Sequence, residues 1–224
     1  MNTKFDRYAN SYNDVLKENF KAAGDDPDYF AEYKIKYLSG KEPDGLAMLD
    51  FGCGVGNCLR HLPTYFPKAK VHGADVSSDS IDQAQATVPS AECVVVGTGL
   101  PLAPGTIDVA MAAGVFHHIP PAERAHWLSE IRRSIKPGGR LYIFEHNPIN
   151  PVTRKMVREC PFDDDAVLLP HQETEARLVS AGFGAVRSDY IMFFPNILSI
   201  ARPLERYMRW LPIGAQYVTM GRAV

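Results

Sequence analysis

Residues 49–57 read Leu49-Asp50-Phe51-Gly52-Cys53-Gly54-Val55-Gly56-Asn57, so three glycines follow a short apolar run. Glycine permits a tight turn and lets a ligand approach the backbone with no Cβ in the way. The pattern is typical of a strand that turns into a helix, whose first N–H groups remain free for a ligand. It predicts a nucleotide-type site at the carboxyl ends of the strands of an open α/β sheet.

The segments around this run alternate between strand and helix patterns. Alternation at this spacing favours βαβ units and a parallel sheet. The later part of the chain is less regular, but it contains two further strand patterns. Strands are predicted over 46–50, 70–75, 93–97, 107–113, 140–145, 185–194 and 215–222, and helices over 58–66, 77–86, 121–135, 171–181 and 203–210.

Three positions in the sequence discriminate between the ligands that such a site could bind. A nicotinamide dinucleotide fingerprint, G-x-G-x-x-G, would need a glycine where the chain has Asn57. Asp50, directly before the glycines, would repel a pyrophosphate but suits an ammonium group. Asp75, at the end of the second predicted strand, can accept hydrogen bonds from ribose hydroxyls. The two acids favour S-adenosylmethionine over NAD. An NAD(P)-dependent oxidoreductase and a non-catalytic S-adenosylmethionine-binding protein are the alternatives.

The chain resembles the class I S-adenosylmethionine-dependent methyltransferases of the small-molecule type, similar to the ubiquinone-biosynthesis methyltransferases. The resemblance implies a Rossmann-like, mostly parallel seven-stranded α/β sheet with helices on both faces, an antiparallel edge strand and an N-terminal helical lid. It implies one domain over 1–224, with the lid at 1–45, the cofactor-binding core at 46–145 and an acceptor-shaping region at 146–224. Five segments carry the likeness: 5–12, 50–56 (D-x-G-x-G-x-G), 100–109, 115–119 and 135–139.

The same resemblance implies which residues contact the cofactor. Asp50 would face the amino group of its methionine part, Asp75 would hold the ribose, and Val76 would pack on the adenine. Where the family often has Gly-Asp after the third strand, this chain has Gly97-Thr98-Gly99, so the adenine contact is assigned to Thr98. The full predicted set is Asp50, Gly52, Gly54, Gly56, Asp75, Val76, Thr98 and Ala113.

Histidines are the candidates for holding a proton during the reaction, because imidazole titrates near neutrality. Neighbouring residues on a helix do not share a face, so at most one of His117 and His118 should line the site. The resemblance favours His118. His146, Glu145 and Tyr12 are the further catalytic candidates.

The same residues raise the question of a metal. His118, His146 and Glu145 could in principle hold a divalent ion, but nothing in the sequence shows that they converge, and we predict no metal site. Residues 163–165, three consecutive aspartates, are interpreted as a solvated loop.

The charge balance of the chain bears on its partners. Its 224 residues include 24 Lys and Arg and 26 Asp and Glu, so no strong field steers the molecule toward nucleic acid. The sequence shows no signal peptide or membrane-spanning run, and the expected location is the cytoplasm. We expect a small-molecule acceptor, hydrophobic or lipid-linked. Arginines beside leucines over 202–211 indicate either core packing with exposed guanidinium groups or a lipid-contacting surface.

Overall fold

The computed structural model describes residues 26–224 together with Asp6 and Val15. Its strands are β1 (Ala47–Phe51), β2 (Lys70–Asp75), β3 (Glu92–Val95), β4 (Ile107–Ala113), β5 (Ile135–His146), β6 (Phe183–Ile191) and β7 (Gln216–Ala223). Its helices are α1 (Pro27–Ser39), α2 (Leu62–Tyr65), α3 (Ser78–Thr87), α4 (Arg124–Ser134), α5 (Pro151–Glu159) and α6 (His171–Ser180), with 3-10 segments at Leu59–His61 and Asn196–Tyr207.

The strands form one seven-stranded sheet in the order β3-β2-β1-β4-β5-β7-β6. The first five strands pair parallel. Strand β7 lies between β5 and β6 and pairs antiparallel with both. The Rossmann-like sheet with an antiparallel pair at one edge is therefore confirmed, with β6 as the outermost strand.

Both faces of the sheet are covered by helices. Side chains of α1, α2 and α3, such as Ile35, Leu62 and Ile81, belong to the apolar cluster on one face. Leu128 of α4 and Leu178 of α6 belong to the cluster on the other. A strand buried on both faces is a continuous apolar run, which is why the predicted bounds of β4 match the structure.

Several elements differ from the predictions. The predicted helix at 58–66 is a 3-10 segment followed by the short α2, and α5 was not predicted. Helix α4 begins at Arg124 rather than at 121. Strand β5 begins at Ile135 and passes through Gly138, whose φ is +81°. The predicted helix at 203–210 is part of the 3-10 segment Asn196–Tyr207. Pro203 lies inside it and lacks the N–H that an α-helix would need there.

The predicted lid lies largely outside the described residues, including Phe5, Tyr8 and Tyr12. Within 26–45 the structure has helix α1. It begins with Pro27 behind Asp26, whose carboxylate accepts a hydrogen bond from the Asp28 N–H at 3.0 Å. Among the described residues, no helix has the length and apolar character needed to cross a membrane.

Candidate active site

A crevice opens where β1, β2, β4 and β5 end. Two cavities meet there, and Gly52, Gly54, Ala113 and His118 border both of them. The first, here called the cofactor cavity, measures about 280 Å³ and is lined also by residues 74–76, 96 and 127. The second, here called the histidine cavity, measures about 180 Å³ and is lined also by Lys34, Asp50, His117, His146 and Asp163.

Residues 52–56, here called the glycine turn, border the crevice through Gly52 and Gly54. The three glycines of the turn differ in their surroundings. All have positive φ, at +75° for Gly52, +52° for Gly54 and +89° for Gly56. A Cβ on Gly52 would come within 2.3 Å of Val115, whereas one on Gly54 would meet nothing within 4 Å. Gly54 thus exposes bare backbone to the crevice. Gly56 borders neither cavity and allows α3 to pack closely, since its Cβ would lie 3.2 Å from the Ala84 Cα.

Asp75 ends β2 and holds the turn in place. Its carboxylate accepts hydrogen bonds from the N–H groups of Gly54 and Ser77, each at 2.9 Å. Burial raises the pKa of Asp75 above its ordinary value. A carboxylate has about four acceptor positions, so Asp75 can also accept hydrogen bonds from a ribose diol.

Asp50 borders the histidine cavity and is 2% exposed. Burial raises its pKa to about 7, although Lys34 acts in the opposite direction. A cationic ligand beside Asp50 would favour its ionised form. Lys34, brought to the same cavity by α1, is placed to meet an anionic group. The pair therefore suits a ligand that carries both an ammonium and a carboxylate.

The far end of the cofactor cavity is apolar. Val76, as predicted, borders it and is 41% exposed. Thr98, predicted to contact the adenine, does not border the cavity. Strand β3 ends at Val95, so Thr98 lies in an exposed loop, and its carbonyl oxygen is 2.9 Å from His126 Nε2. Val96 and Trp127 border the cavity instead.

Both members of the histidine pair border the histidine cavity, contrary to the expectation of at most one. Residues 115–118 form turns rather than the helix on which that expectation rested. The two rings have centroids 4.1 Å apart. His117 Nδ1 lies 2.6 Å from Glu145 Oε2. Desolvation acts to lower the pKa of His117, but the carboxylates of Glu145 and Asp163 together outweigh it and raise this pKa to about 9.

Glu145 and His146 have different roles at the end of β5. Glu145 is 1% exposed and borders neither cavity; it accepts hydrogen bonds from His117 and from the Phe116 N–H at 2.8 Å. We therefore regard Glu145 as a positioning residue rather than a catalytic one. His146 does border the histidine cavity, where desolvation lowers its pKa to about 4. Tyr12 lies outside the described residues.

The buried position of the Asp163 side chain contradicts the interpretation of residues 163–165 as a solvated loop. Its side chain is 11% exposed and lies 3.5 Å from His117 Nε2 and 3.3 Å from His118 Nε2. Burial acts to raise the pKa of Asp163, but hydrogen bonds from the two histidines hold it well below its usual range. Asp164 and Asp165 are exposed, so only the first of the three aspartates turns inward.

Known proteins resemble the part of the chain that forms much of this crevice. A family model described as a methyltransferase domain matches residues 48–139, which include the glycine turn, Asp75 and the histidine pair. Residues 48–139 of this chain therefore resemble a methyltransferase domain. Trans-aconitate 2-methyltransferase of Azoarcus sp. is 30% identical over 120 residues, which cover 53% of this chain and 46% of that protein.

Two further proteins are similar to different shares of this chain. A ubiquinone/menaquinone biosynthesis C-methyltransferase of Syntrophotalea carbinolica is 31% identical over 121 residues, which cover 50% of this chain and 48% of that protein. The chain thus spans less than half the length of these two curated relatives. A methyltransferase structure from Archaeoglobus fulgidus superposes with a TM-score of 0.70 and 15% identity, covering 95% of this chain and all of that one (100%).

The crevice fits S-adenosylmethionine in three respects. Gly54 offers bare backbone, Asp50 is a buried acid, and Asp75 has acceptor positions left for a diol. Sequence reasoning missed Lys34, because the periodicity of α1 carries no information about which side chain reaches β1. Sequence reasoning also missed the contact between His117 and Asp163, because it joins segments that are 46 residues apart in the chain.

Proposed function

We propose that this protein transfers the methyl group of S-adenosylmethionine to a small apolar acceptor. The observation that carries the proposal is that the cofactor cavity and the histidine cavity share a wall at Gly54, Ala113 and His118. A molecule bound in one is therefore within reach of a molecule bound in the other.

The residues of the crevice would bind and orient the cofactor. When bound, S-adenosylmethionine supplies a sulfonium-activated methyl group that an acceptor takes by in-line displacement. Asp50 would accept the ammonium group, Lys34 would bind the carboxylate and Asp75 would bind the ribose. Fixed orientation of two reactants contributes up to about 7–11 kcal/mol in favourable cases.

His146 is the residue we assign to accept a proton when the acceptor has to lose one. With a pKa near 4 it is neutral at pH 7 and has a free lone pair on one ring nitrogen. His117 is less suitable because both of its ring nitrogens already lie beside carboxylates, Glu145 Oε2 at 2.6 Å and Asp163 Oδ1 at 3.5 Å. His118, the first candidate from the sequence, is turned toward Asp163.

The acceptor would occupy a third cavity of about 330 Å³, here called the acceptor cavity. It shares Phe30, His146, Met156 and Gln216 with the histidine cavity. No Lys, Arg or acidic side chain is among the described residues that line it. An apolar acceptor therefore suits it better than a polycarboxylate. Its other lining residues are Tyr29, Asn150, Val152, Thr153, Met192, Phe193, Phe194, Pro195 and Ala215.

A methyl-transfer assay tests the proposal. Labelled S-adenosylmethionine is supplied with an apolar acceptor, a prenylated demethyl-quinol, or with the polycarboxylate trans-aconitate, which the name of one relative contains. We expect label in the quinol and none in trans-aconitate. Preferential methylation of trans-aconitate would contradict the apolar acceptor. Binding of S-adenosylhomocysteine without turnover of any acceptor would contradict methyl transfer but not cofactor binding.

A surface next to the acceptor cavity supports a lipid-linked acceptor. Several apolar side chains of residues 196–213 are exposed, with Ile197 at 90% and Ile200 at 93%. The exposed guanidinium of Arg206 lies in the same segment. Exposed apolar side chains beside basic ones are typical of segments that lie on anionic membranes. We propose that this segment, here called the apolar surface, contacts lipid while the acceptor enters.

A further inference from the structure

We propose that His117, His118 and Asp163 form a binding site for one divalent transition-metal ion of the zinc type. Each residue offers one ligand atom, and the three atoms lie within 4.8 Å of one another. Two imidazoles and one carboxylate are a common ligand set for such ions when a further position stays open. The inference concerns metal binding alone and does not depend on the acceptor.

The distances between the ligand atoms fit a metal between them. Tetrahedral coordination with bonds of about 2.0–2.2 Å places neighbouring ligand atoms about 3.3–3.6 Å apart. Asp163 Oδ1 lies 3.5 Å from His117 Nε2 and 3.3 Å from His118 Nε2. Two of the three separations therefore match those around a shared ion. The third, between the two imidazole nitrogens, is within 4.8 Å and shortens on binding, and the ion replaces the proton between His117 Nε2 and Asp163.

Carboxylates also lie behind the two imidazoles. Metal-binding histidines usually donate their other ring N–H to a carboxylate or carbonyl, which fixes the ring orientation. His117 Nδ1 is 2.6 Å from Glu145 Oε2, and Glu145 is itself held by the Phe116 N–H. His118 Nδ1 is 3.5 Å from Asp165 Oδ1. Glu145 thus acts as a positioning residue for a ligand.

The backbone holds the two segments of the site in register. The Val167 N–H donates to the His117 carbonyl oxygen at 2.8 Å. Arg124, 1% exposed, donates from Nε to the Phe116 carbonyl oxygen at 3.0 Å and from Nη2 to the Val167 carbonyl oxygen at 2.7 Å. Sites fixed in this way before the ligand arrives bind with less loss of side-chain freedom.

The location of the cluster gives such an ion access to small molecules. His117, His118 and Asp163 all border the histidine cavity, together with Asp50 and Ala113. An ion held by three protein ligands would keep an open position for a small molecule in that cavity. The chemical class of ligand for that position is an oxygen donor such as a hydroxyl or carbonyl group.

Calorimetry on the full chain, free of affinity tag and stripped with EDTA, tests the site with ZnCl₂ as the probe. We expect one Zn²⁺ per chain and much weaker binding of Mg²⁺, which prefers octahedral oxygen ligands. Asp163→Asn and His118→Gln should each weaken Zn²⁺ binding at least tenfold, and Glu145→Gln by about 10- to 100-fold. A visible absorption band typical of tetrahedral Co²⁺ should be present in the wild type and lost in Asp163→Asn.

Two control variants show whether the loss is local. Asp164→Asn removes the neighbouring, exposed carboxylate, and His126→Gln removes an exposed histidine elsewhere; both should bind Zn²⁺ as the wild type does. Thermal unfolding establishes whether each variant is folded. If Glu145→Gln does not fold, His118→Gln, at a partly exposed position, provides the test. Absence of stoichiometric Zn²⁺ binding, or equal binding by wild type, Asp163→Asn and His118→Gln, would overturn the proposal. Titration of the EDTA-treated protein with S-adenosylhomocysteine tests the proposed function separately.

Discussion

At the scale of single residues, Asp50 is an acid whose charge the bound ligand should control. Burial raises its pKa to about 7 in the free protein. A ligand ammonium would stabilise the ionised form and lower that pKa. Binding then releases a proton below pH 7, so affinity should increase as pH rises through 7 and approach a plateau above it.

This dependence can be measured with S-adenosylhomocysteine, the demethylated cofactor. We expect its Kd to fall by up to about tenfold for each pH unit between pH 5 and 7. Asp50→Asn should bind more weakly at pH 8 and lose most of the dependence. Asp44→Asn, at an exposed position away from the crevice, is the control. An unchanged slope in Asp50→Asn would show that another group is responsible.

Substitution of single glycines by alanine distinguishes three effects: backbone strain, packing against a neighbour, and obstruction of the ligand. Gly45→Ala adds a Cβ in open space at φ +83° and should cost about 1–2 kcal/mol from backbone strain alone. Gly52→Ala adds the contact with Val115 and should cost a further 1–3 kcal/mol or so. Gly54→Ala should resemble Gly45→Ala in stability but lose cofactor affinity. Chemical denaturation and calorimetry measure the two effects, and equal stability of Gly45→Ala and Gly52→Ala would refute the packing argument.

At the scale of elements, Asp6 indicates where the N-terminal segment meets the core. Its carboxylate accepts a hydrogen bond from the Ser77 hydroxyl at 2.6 Å, and Ser77 also caps α3 directly after Val76. We therefore predict that deletion of residues 1–20 abolishes turnover and leaves a folded core. Activity and thermal unfolding are the measurements. Asp6→Asn, which keeps the chain length, should show a smaller loss, and normal turnover of the truncated chain would disprove a lid.

Local sequence patterns predicted most secondary-structure elements, but not the tertiary contacts between them. Strand β4 followed from its buried apolar run, and the glycine turn from its three glycines. The approach of Asp163 to His118 did not, because three consecutive aspartates look alike in sequence and only packing selects the one that turns inward. The expectation that at most one of His117 and His118 would line the site was wrong, because the turn after Gly114, with φ +70°, breaks the helical spacing that was assumed.

At the scale of the whole molecule, the apolar surface predicts binding to vesicles. Flotation with phosphatidylglycerol-containing vesicles should recover the wild type, and raised salt should weaken recovery because anionic lipid attracts the arginines. The double substitution Ile197→Ser and Ile200→Ser should abolish it. Val179→Ser, an exposed apolar position on α6 (60% exposed), is the matched control. Equal recovery of both variants would exclude this surface as the contact.

The position of β7 inside the sheet has a consequence for synthesis on the ribosome. Strand β6 ends at Ile191, yet its sheet partner begins only at Gln216. At about 5–20 residues per second, translation of the intervening segment takes roughly 1–5 s. Until Gln216–Ala223 has been made and paired, the outer side of β5 has unpaired backbone groups, so the sheet is completed only by the seventh strand to be synthesised.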